Sequence, residues 1–198
     1  MVPLILASAS PARAAMLAQV QVPFQIEPVR LDEASIRQAM VTAGSSPRDV
    51  ADALAEGKAR KASSRFPDKL VLGSDQVLDL NGMIFSKPET KEDALAQLCE
   101  LGGQTHKLLS AAVLYEDAKP VWRHVGQVRL TMHSLTEAWL VAYIDRNWDS
   151  IQHSVGGYKI EEEGAQLFTR IEGDHFNIMG LPLLELLSYL TLKGTLPS

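Results

Sequence analysis

The chain has a single cysteine, Cys99. One thiol can form no internal disulfide and no zinc cluster, which suits a reducing cytoplasm. Cys99 itself reads as a small apolar residue on a helix. No stretch approaches the roughly 18 uncharged apolar residues of a membrane span. The most apolar segment, 181–192, is interrupted by Glu185. The first residues, MVPLILASAS, lack a basic region and carry only a short apolar run, so they read as a strand rather than a signal peptide. There is no internal repeat and no low-complexity tract. The five histidines (His106, His124, His133, His153, His175) show no metal-ligand spacing, and no nucleophile elbow is present. Excess positive charge is absent as well. A net charge of −5 disfavours a broad nucleic-acid surface but leaves room for a local basic pocket.

What is present is an ordinary globular composition, 46% hydrophobic and 22% charged over 198 residues. That length suits one domain spanning 1–198, with or without two lobes. The most informative stretch is LVLGSDQ at 70–76. It reads as a buried strand that delivers Asp75 at its C-terminal end, where open α/β sheets bind ligands. Taken alone, the pattern favours the plainer reading in which Asp75 starts a turn.

Residues 3–7 read as a first buried strand. Ser8, Ser10, Pro11 and Arg13 follow and open an Ala/Leu-rich helix running to about Gln19. Ser10 is a natural N-cap and Pro11 a natural first helical residue. A helix starting straight after a buried strand presents free N–H groups and a positive dipole end to an anion. The two hydroxyls and the Arg13 fork add donors suited to phosphate. The alternative is an ordinary capped turn with a surface Arg. Without glycine it is neither a Walker loop nor a dinucleotide fingerprint.

A short strand is expected at 24–26, then a polar helix opened by Asp32 and Glu33, either of which could be a solvated charge or a metal ligand. A clear helix runs over 47–66 behind Ser46. On it, Lys58 sits beside the apolar stripe, where spacing alone favours a snorkelling side chain. The strand over 70–80 turns at Asn81-Gly82, the strongest hairpin signal in the chain, and returns over 83–85 towards Lys87. Thr90 caps a helix ending at Gly102-Gly103. Two long strands, 105–115 and 121–132, are joined by a loop at 116–120. A helix over 136–145 is begun by Ser134, with Trp139, Val141 and Ile144 in core or interface. Gly156-Gly157-Tyr158 marks a turn or close approach. The Lys159–Glu163 charge run suggests a solvated face. A strand over 166–171 and an apolar helix over 182–193, with Pro182 at its first position, complete the chain.

Taken together, LILASASPAR, GSDQVL, FSKP, GGYKIEEEGA and IEGDHFNIMGLPL resemble the Maf family of nucleotide pyrophosphatases, in order and over nearly the whole chain. The resemblance implies an α/β fold with a mixed twisted sheet, flanking helices and two lobes around a cleft, similar to inosine triphosphate pyrophosphatase. It implies hydrolysis of nucleoside triphosphates to monophosphate and pyrophosphate with Mg²⁺ or Mn²⁺, in the cytoplasm and in a homodimer. By this resemblance Ser8, Ser10, Arg13, Lys58 and Lys87 bind substrate, Asp75 accepts a proton, and Asp75 with Glu33 holds the metal. Two positions depart from the family pattern: Gly57 replaces the Glu before Lys58, and Ser86 replaces the Gly before Lys87. Ala12, Gln76 and Glu161 stand where the dTTP/UTP branch has Arg, Thr and Gln. They resemble the branch acting on 7-methyl-GTP. A carboxylate at Glu161 could accept from guanine N1–H and N2–H groups and suits a cationic base. The alternatives are a dTTP/UTP enzyme, a non-enzymatic regulator of cell division, and a nucleotide sensor. Four retained polar groups, Arg13, Lys58, Asp75 and Lys87, favour an enzyme.

Overall fold

The computed structural model describes residues 3–196. The order is β1 (Leu4–Leu6), α1 (Pro11–Gln19), β2 (Phe24–Ile26), α2 (Glu33–Thr42), α3 (Pro47–Ser63), β3 (Val71–Leu80), β4 (Met83–Phe85), α4 (Lys91–Leu101), β5 (Thr105–Glu116), β6 (Lys119–Met132), α5 (Glu137–Ile151), β7 (Phe168–Glu172), α6 (His175–Ile178) and α7 (Leu183–Leu192). Two 3-10 turns, Val155–Gly157 and Glu163–Leu167, precede β7. The seven strands form one sheet in the order β2-β1-β3-β5-β6-β7, with β4 on β3. β1 is parallel to β2 and β3, while β4 and β7 are antiparallel to their partners. This is the expected mixed α/β sheet with flanking helices.

The chain divides into two compact units. One comprises the residues up to Gln76, Leu109–Gly126 and the residues from His175 onward; the other comprises Val77–Leu108 and Gln127–Asp174.

In the first unit, Leu4, Leu6, Leu17, Leu72, Leu114, Leu186 and Leu190 form one buried cluster. Burying each such side chain contributes about 1.5–3 kcal/mol. Helix α3 starts with a reciprocal Ser46–Asp49 capping box and buries Val50, Ala51, Leu54, Ala55, Ala59 and Ala62. The alanines allow a close approach. A Cβ on Gly73 of β3 would lie 2.2 Å from the Ala55 carbonyl oxygen and 2.5 Å from the Ala59 nitrogen. Only glycine lets β3 meet α3 at this spacing.

In the second unit, Asn81 and Gly82 both adopt positive φ (53° and 93°) and close the β3–β4 hairpin in the primed-turn conformation. Gly156 and Gly157 also have positive φ, and a Cβ on Gly156 would lie 2.6 Å from Leu78 Cδ1. The close approach expected at this pair is therefore present. Beside it, fully buried His106 places Nε2 2.7 Å from Tyr158 Oη, and Phe168 packs edge-on against Tyr158. Burial pushes the His106 imidazole down to about 4 and raises the Tyr158 phenol.

Several expectations are corrected. Asp75 lies midway along β3, not at its C-terminal end, because the ladder continues through Leu78, Asp79 and Leu80 onto β4. α3 ends at Ser63, with Ser64 as its C-cap. α5 is capped by Thr136, whose hydroxyl accepts from Trp139 N–H, and continues past Asp145 to Ile151. The added turns are held by Arg146 and Asn147 on Glu163, a partner outside the helix, and end on buried Ile151. Val141 is exposed, and Leu140, Tyr143 and Ile144 form the buried face. The loop expected at 116–120 is a two-residue turn at Asp117-Ala118, both with positive φ. Pro120 is the second residue of β6, well before the stretch that β7 pairs, so its missing N–H leaves no gap in that ladder. Pro182 precedes α7 as its N-cap, and the short α6 was not expected. Cys99 is on α4 but exposed. Among the described residues, no helix is long and apolar enough to cross a membrane.

Gly73→Ala should destabilise the protein by about 3 kcal/mol or more, because the clash is with backbone; urea midpoints compared with wild type test this. A depressed His106 means the unfolded chain takes a proton first as pH falls. Stability should therefore decline between pH 6.5 and about 4, by up to about 3 kcal/mol, and be unaffected by this residue above pH 6.5. Urea titrations of wild type and His106→Gln across that window should show a steeper loss in the wild type.

Candidate active site

β1 stops at Leu6, where its pairing with β3 reaches Leu72. The chain then turns through Ser8 into α1. Ser10 caps that helix by accepting from the Arg13 N–H at 3.4 Å, and Pro11 fills its first position, as the sequence implies. The Ser10 N–H donates to Ser8 Oγ at 3.2 Å, which fixes the loop between strand and helix.

Arg13 points into the protein. Its Nε donates to the Gly180 carbonyl at 2.7 Å and its Nη1 to Ser8 Oγ at 3.1 Å; the side chain is 8% exposed. Gly180 has φ +96°, and a Cβ there would sit 3.3 Å from Arg13 Nη2. Burial lowers the guanidinium from its ordinary value, and the charges of Asp75 and Glu33 oppose that fall. Ser74 reaches the same Gly180 carbonyl at 3.1 Å, and the Ala111 carbonyl at 2.8 Å.

On the neighbouring face of β3, Lys58 Nζ lies 2.7 Å from Asp75 Oδ1 and 2.9 Å from Glu33 Oε1. Lys58 is 9% exposed and Asp75 6%. Lys58 is therefore not a snorkelling surface residue; its ammonium bridges two carboxylates. Gly73 makes this possible: it lies two residues before Asp75, so it shares Asp75's face of the strand and seats α3 close enough for the contact. Glu33 begins α2, capped by Asp32, whose carboxylate accepts from the Ser35 N–H.

Gln76 projects to the opposite face. Its Nε2 donates towards the Asn177 carbonyl, the Ile178 carbonyl and Ser110 Oγ at 2.9–3.0 Å. Ala12, in the first turn of α1, is half-buried. Lys87 and Glu161 belong to the other unit, and each is exposed. The charge run around Glu161 is partly tied down: Glu162 binds Ser150 and Lys159, and Glu163 binds Arg146 and Asn147.

The first unit thus gathers two buried cations, two carboxylates, two serines and a helix N-terminus. Ser8, Ser10, Arg13, Glu33, Lys58 and Asp75 were all marked in the sequence. Ser74, Ser110, Asn177 and Gly180 were not. Asn177 and Gly180 lie in the segment GDHFNIMG, which returns backbone carbonyls to β3 and Arg13, and Ser74 lies in GSDQVL. Among the described residues, no three His, Cys, Asp or Glu side chains cluster closely enough to form a metal site by themselves.

An α/β protein that sets a buried acid and two cations beside a serine-lined helix start has the equipment of an enzyme acting on phosphate groups. The Maf-like protein family matches residues 3–192, and the chain belongs to that family. It is 57% identical over 98% of both chains to a nucleoside triphosphate pyrophosphatase of Ruegeria pomeroyi. It is 44% identical to a 7-methyl-GTP pyrophosphatase of Rhizobium etli, over 98% of this chain and 97% of that one. A solved nucleoside-triphosphatase, or dITP/XTP pyrophosphatase, from Mycobacterium abscessus covers 99% of this chain and 98% of its own at 14% identity and a TM-score of 0.44.

Lys58→Met leaves two carboxylates facing each other without their cation. Removing one partner of a buried pair costs about 3–5 kcal/mol. Part-exposed Glu33 moderates this, so a loss of about 3 kcal/mol in urea unfolding is expected. A change below about 0.5 kcal/mol would show that the bridge is not formed in solution.

Proposed function

We propose that this protein hydrolyses nucleoside triphosphates to the monophosphate and pyrophosphate, with 7-methyl-GTP as preferred substrate. The observation that carries the reading is the bridge from buried Lys58 to buried Asp75 and part-exposed Glu33, in the same unit as Arg13 and the Ser8–Ser10 loop.

In this reading, water attacks the α-phosphorus, the bond from that phosphorus to the bridging oxygen breaks, and pyrophosphate leaves. Asp75 orients the water and takes its proton. Arg13, Lys58 and the α1 N-terminus neutralise the triphosphate, and Ser8 and Ser10 hydrogen-bond its oxygens. Electrostatic positioning of this kind carries most of phosphoryl-transfer catalysis. Among the described residues neither serine hydrogen-bonds a base, so direct attack by water is preferred over a covalent intermediate.

Two carboxylates converging on one cation also fit a divalent ion, because magnesium commonly takes one or two protein acids and fills its shell with phosphates and water. Asp75 and Glu33 would hold Mg²⁺ or Mn²⁺, which would supply further charge on the phosphate oxygens. The preference for 7-methyl-GTP rests on Ala12, Gln76 and Glu161, and on the similarity to the Rhizobium etli 7-methyl-GTP pyrophosphatase. Loss of an Arg at position 12 removes a cation that would repel a positively charged base. The same reading puts the enzyme in the cytoplasm as a homodimer acting on free nucleotides.

Pyrophosphate release from 7-methyl-GTP, GTP, dTTP, UTP and CTP with Mg²⁺ or Mn²⁺ tests this. Turnover should be highest with 7-methyl-GTP, and Asp75→Asn should lower kcat by at least about 100-fold. Activity centred on dTTP and UTP would overturn the substrate preference. An Asp75→Asn enzyme with near-normal turnover would sink the mechanism.

A further inference from the structure

The amide of Gln76 can be oriented without ambiguity. Two of the three atoms it touches, the Asn177 and Ile178 carbonyl oxygens, can only accept. Reversing the amide would set Oε1 against two other oxygens, so the nitrogen must face them. The third contact, Ser110 Oγ at 3.0 Å, is itself directed: its hydroxyl donates to the Asn177 carbonyl at 2.6 Å and so turns a lone pair towards Gln76. Both amide hydrogens are therefore engaged by the protein. Oε1 is different. Gln76 is part-exposed, and among the described residues nothing donates to that oxygen.

The clamp is built into the interior. Ser110 has no exposed surface and Asn177 is 3% exposed. Asn177 lies against Gly126 of β6, where a Cβ would come within 1.9 Å of Asn177 Oδ1. A strand glycine, an α6 asparagine and a β5 serine together hold one amide in one direction. Neighbouring Asp75 leaves the other face of β3 to meet Lys58. What Gln76 contacts is therefore separated from the acid by the strand, and it should act on binding more than on the chemical step.

We propose that Gln76 reads its ligand in one direction only: Ser110, Asn177 and Ile178 hold its nitrogen, and Oε1 accepts a hydrogen bond from a donor on the nucleotide. Ser110 and Asn177 are positioning residues for that contact. This deepens the nucleotide reading above and rests on it. A group that only accepts, such as a pyrimidine carbonyl, is disfavoured at this position. The donor is either a base N–H or a ribose O–H.

The test is equilibrium binding of non-hydrolysable α,β-imido triphosphates to the full chain, with turnover of the parent nucleotides measured alongside. The parent is guanosine. The inosine and N1-methylguanosine analogues remove base donors, and the 2′-deoxy and 3′-deoxy analogues remove ribose donors. At least one should bind about 10-fold more weakly to wild type, and its identity tells base from sugar. In Gln76→Met, which keeps the length but not the acceptor, that gap should close. In Ser110→Ala it should narrow, with KM for the parent rising more than kcat falls. A merely structural role for Ser110 would weaken all nucleotides alike, and that result would overturn its assignment. If all four analogues bind wild type like the parent, or the gap survives in Gln76→Met, the directional reading is wrong; the Gln76→Met result decides even if Ser110→Ala fails to fold. Discrimination in binding without any turnover would keep this inference and reject the hydrolytic function. Turnover without discrimination would do the reverse, and no nucleotide binding would reject both.

Discussion

The candidate site of this protein depends on one ammonium group. Lys58 Nζ is within hydrogen-bond distance of both Asp75 and Glu33, and without it two acids would face each other in a poorly solvated place. Charges are tolerated away from water only when they are paired and hydrogen-bonded. The packing around the bridge follows from that requirement. Gly73 removes the side chain that would push α3 off the sheet, and the small face of Ala55 and Ala59 lets the helix settle onto the strand. Asp32 caps α2 so that Glu33 begins at the right place.

The second cation is held differently. Arg13 is fastened by a backbone carbonyl and a serine hydroxyl rather than by a carboxylate. Among the described residues no direct ion pair cancels its charge, though Asp75 and Glu33 still stabilise it. An anion approaching the start of α1 would meet this guanidinium together with the helix dipole. The two cations are thus held by different chemistry, Lys58 by two carboxylates and Arg13 by neutral oxygens.

The segment from α6 into Gly180 turns out to be structural wiring. Its carbonyls receive Gln76, Ser110, Ser74 and Arg13. Backbone groups there take the place that extra side chains might fill, and the positive φ of Gly180 aims its carbonyl at two donors at once. This explains why a stretch with few ionisable side chains of its own sits beside Arg13 and Gln76.

The sequence by itself determined what local physics controls. Helix starts at Ser10, Ser46 and Thr90, the Asn81-Gly82 hairpin, the apolar strands and the tight Gly156-Gly157 approach all follow from short-range patterns, because caps, turns and strand alternation act over a few residues. Ordered motifs also marked Ser8, Ser10, Arg13, Glu33, Lys58 and Asp75. Tertiary structure decided the rest. Spacing on α3 made Lys58 look like a residue reaching for water; only the packing of α3 on Gly73 shows it bridging two acids. The extension of α5 past Asp145 depends on Glu163, and the tight turn before Pro120 on left-handed geometry that Asp117 and Ala118 do not advertise. The direction of the Gln76 amide was set by carbonyls about a hundred positions away, which no local pattern could contain. Partners so distant in the chain meet only when the sheet has formed, so the side chains could be named from the sequence but their pairings could not.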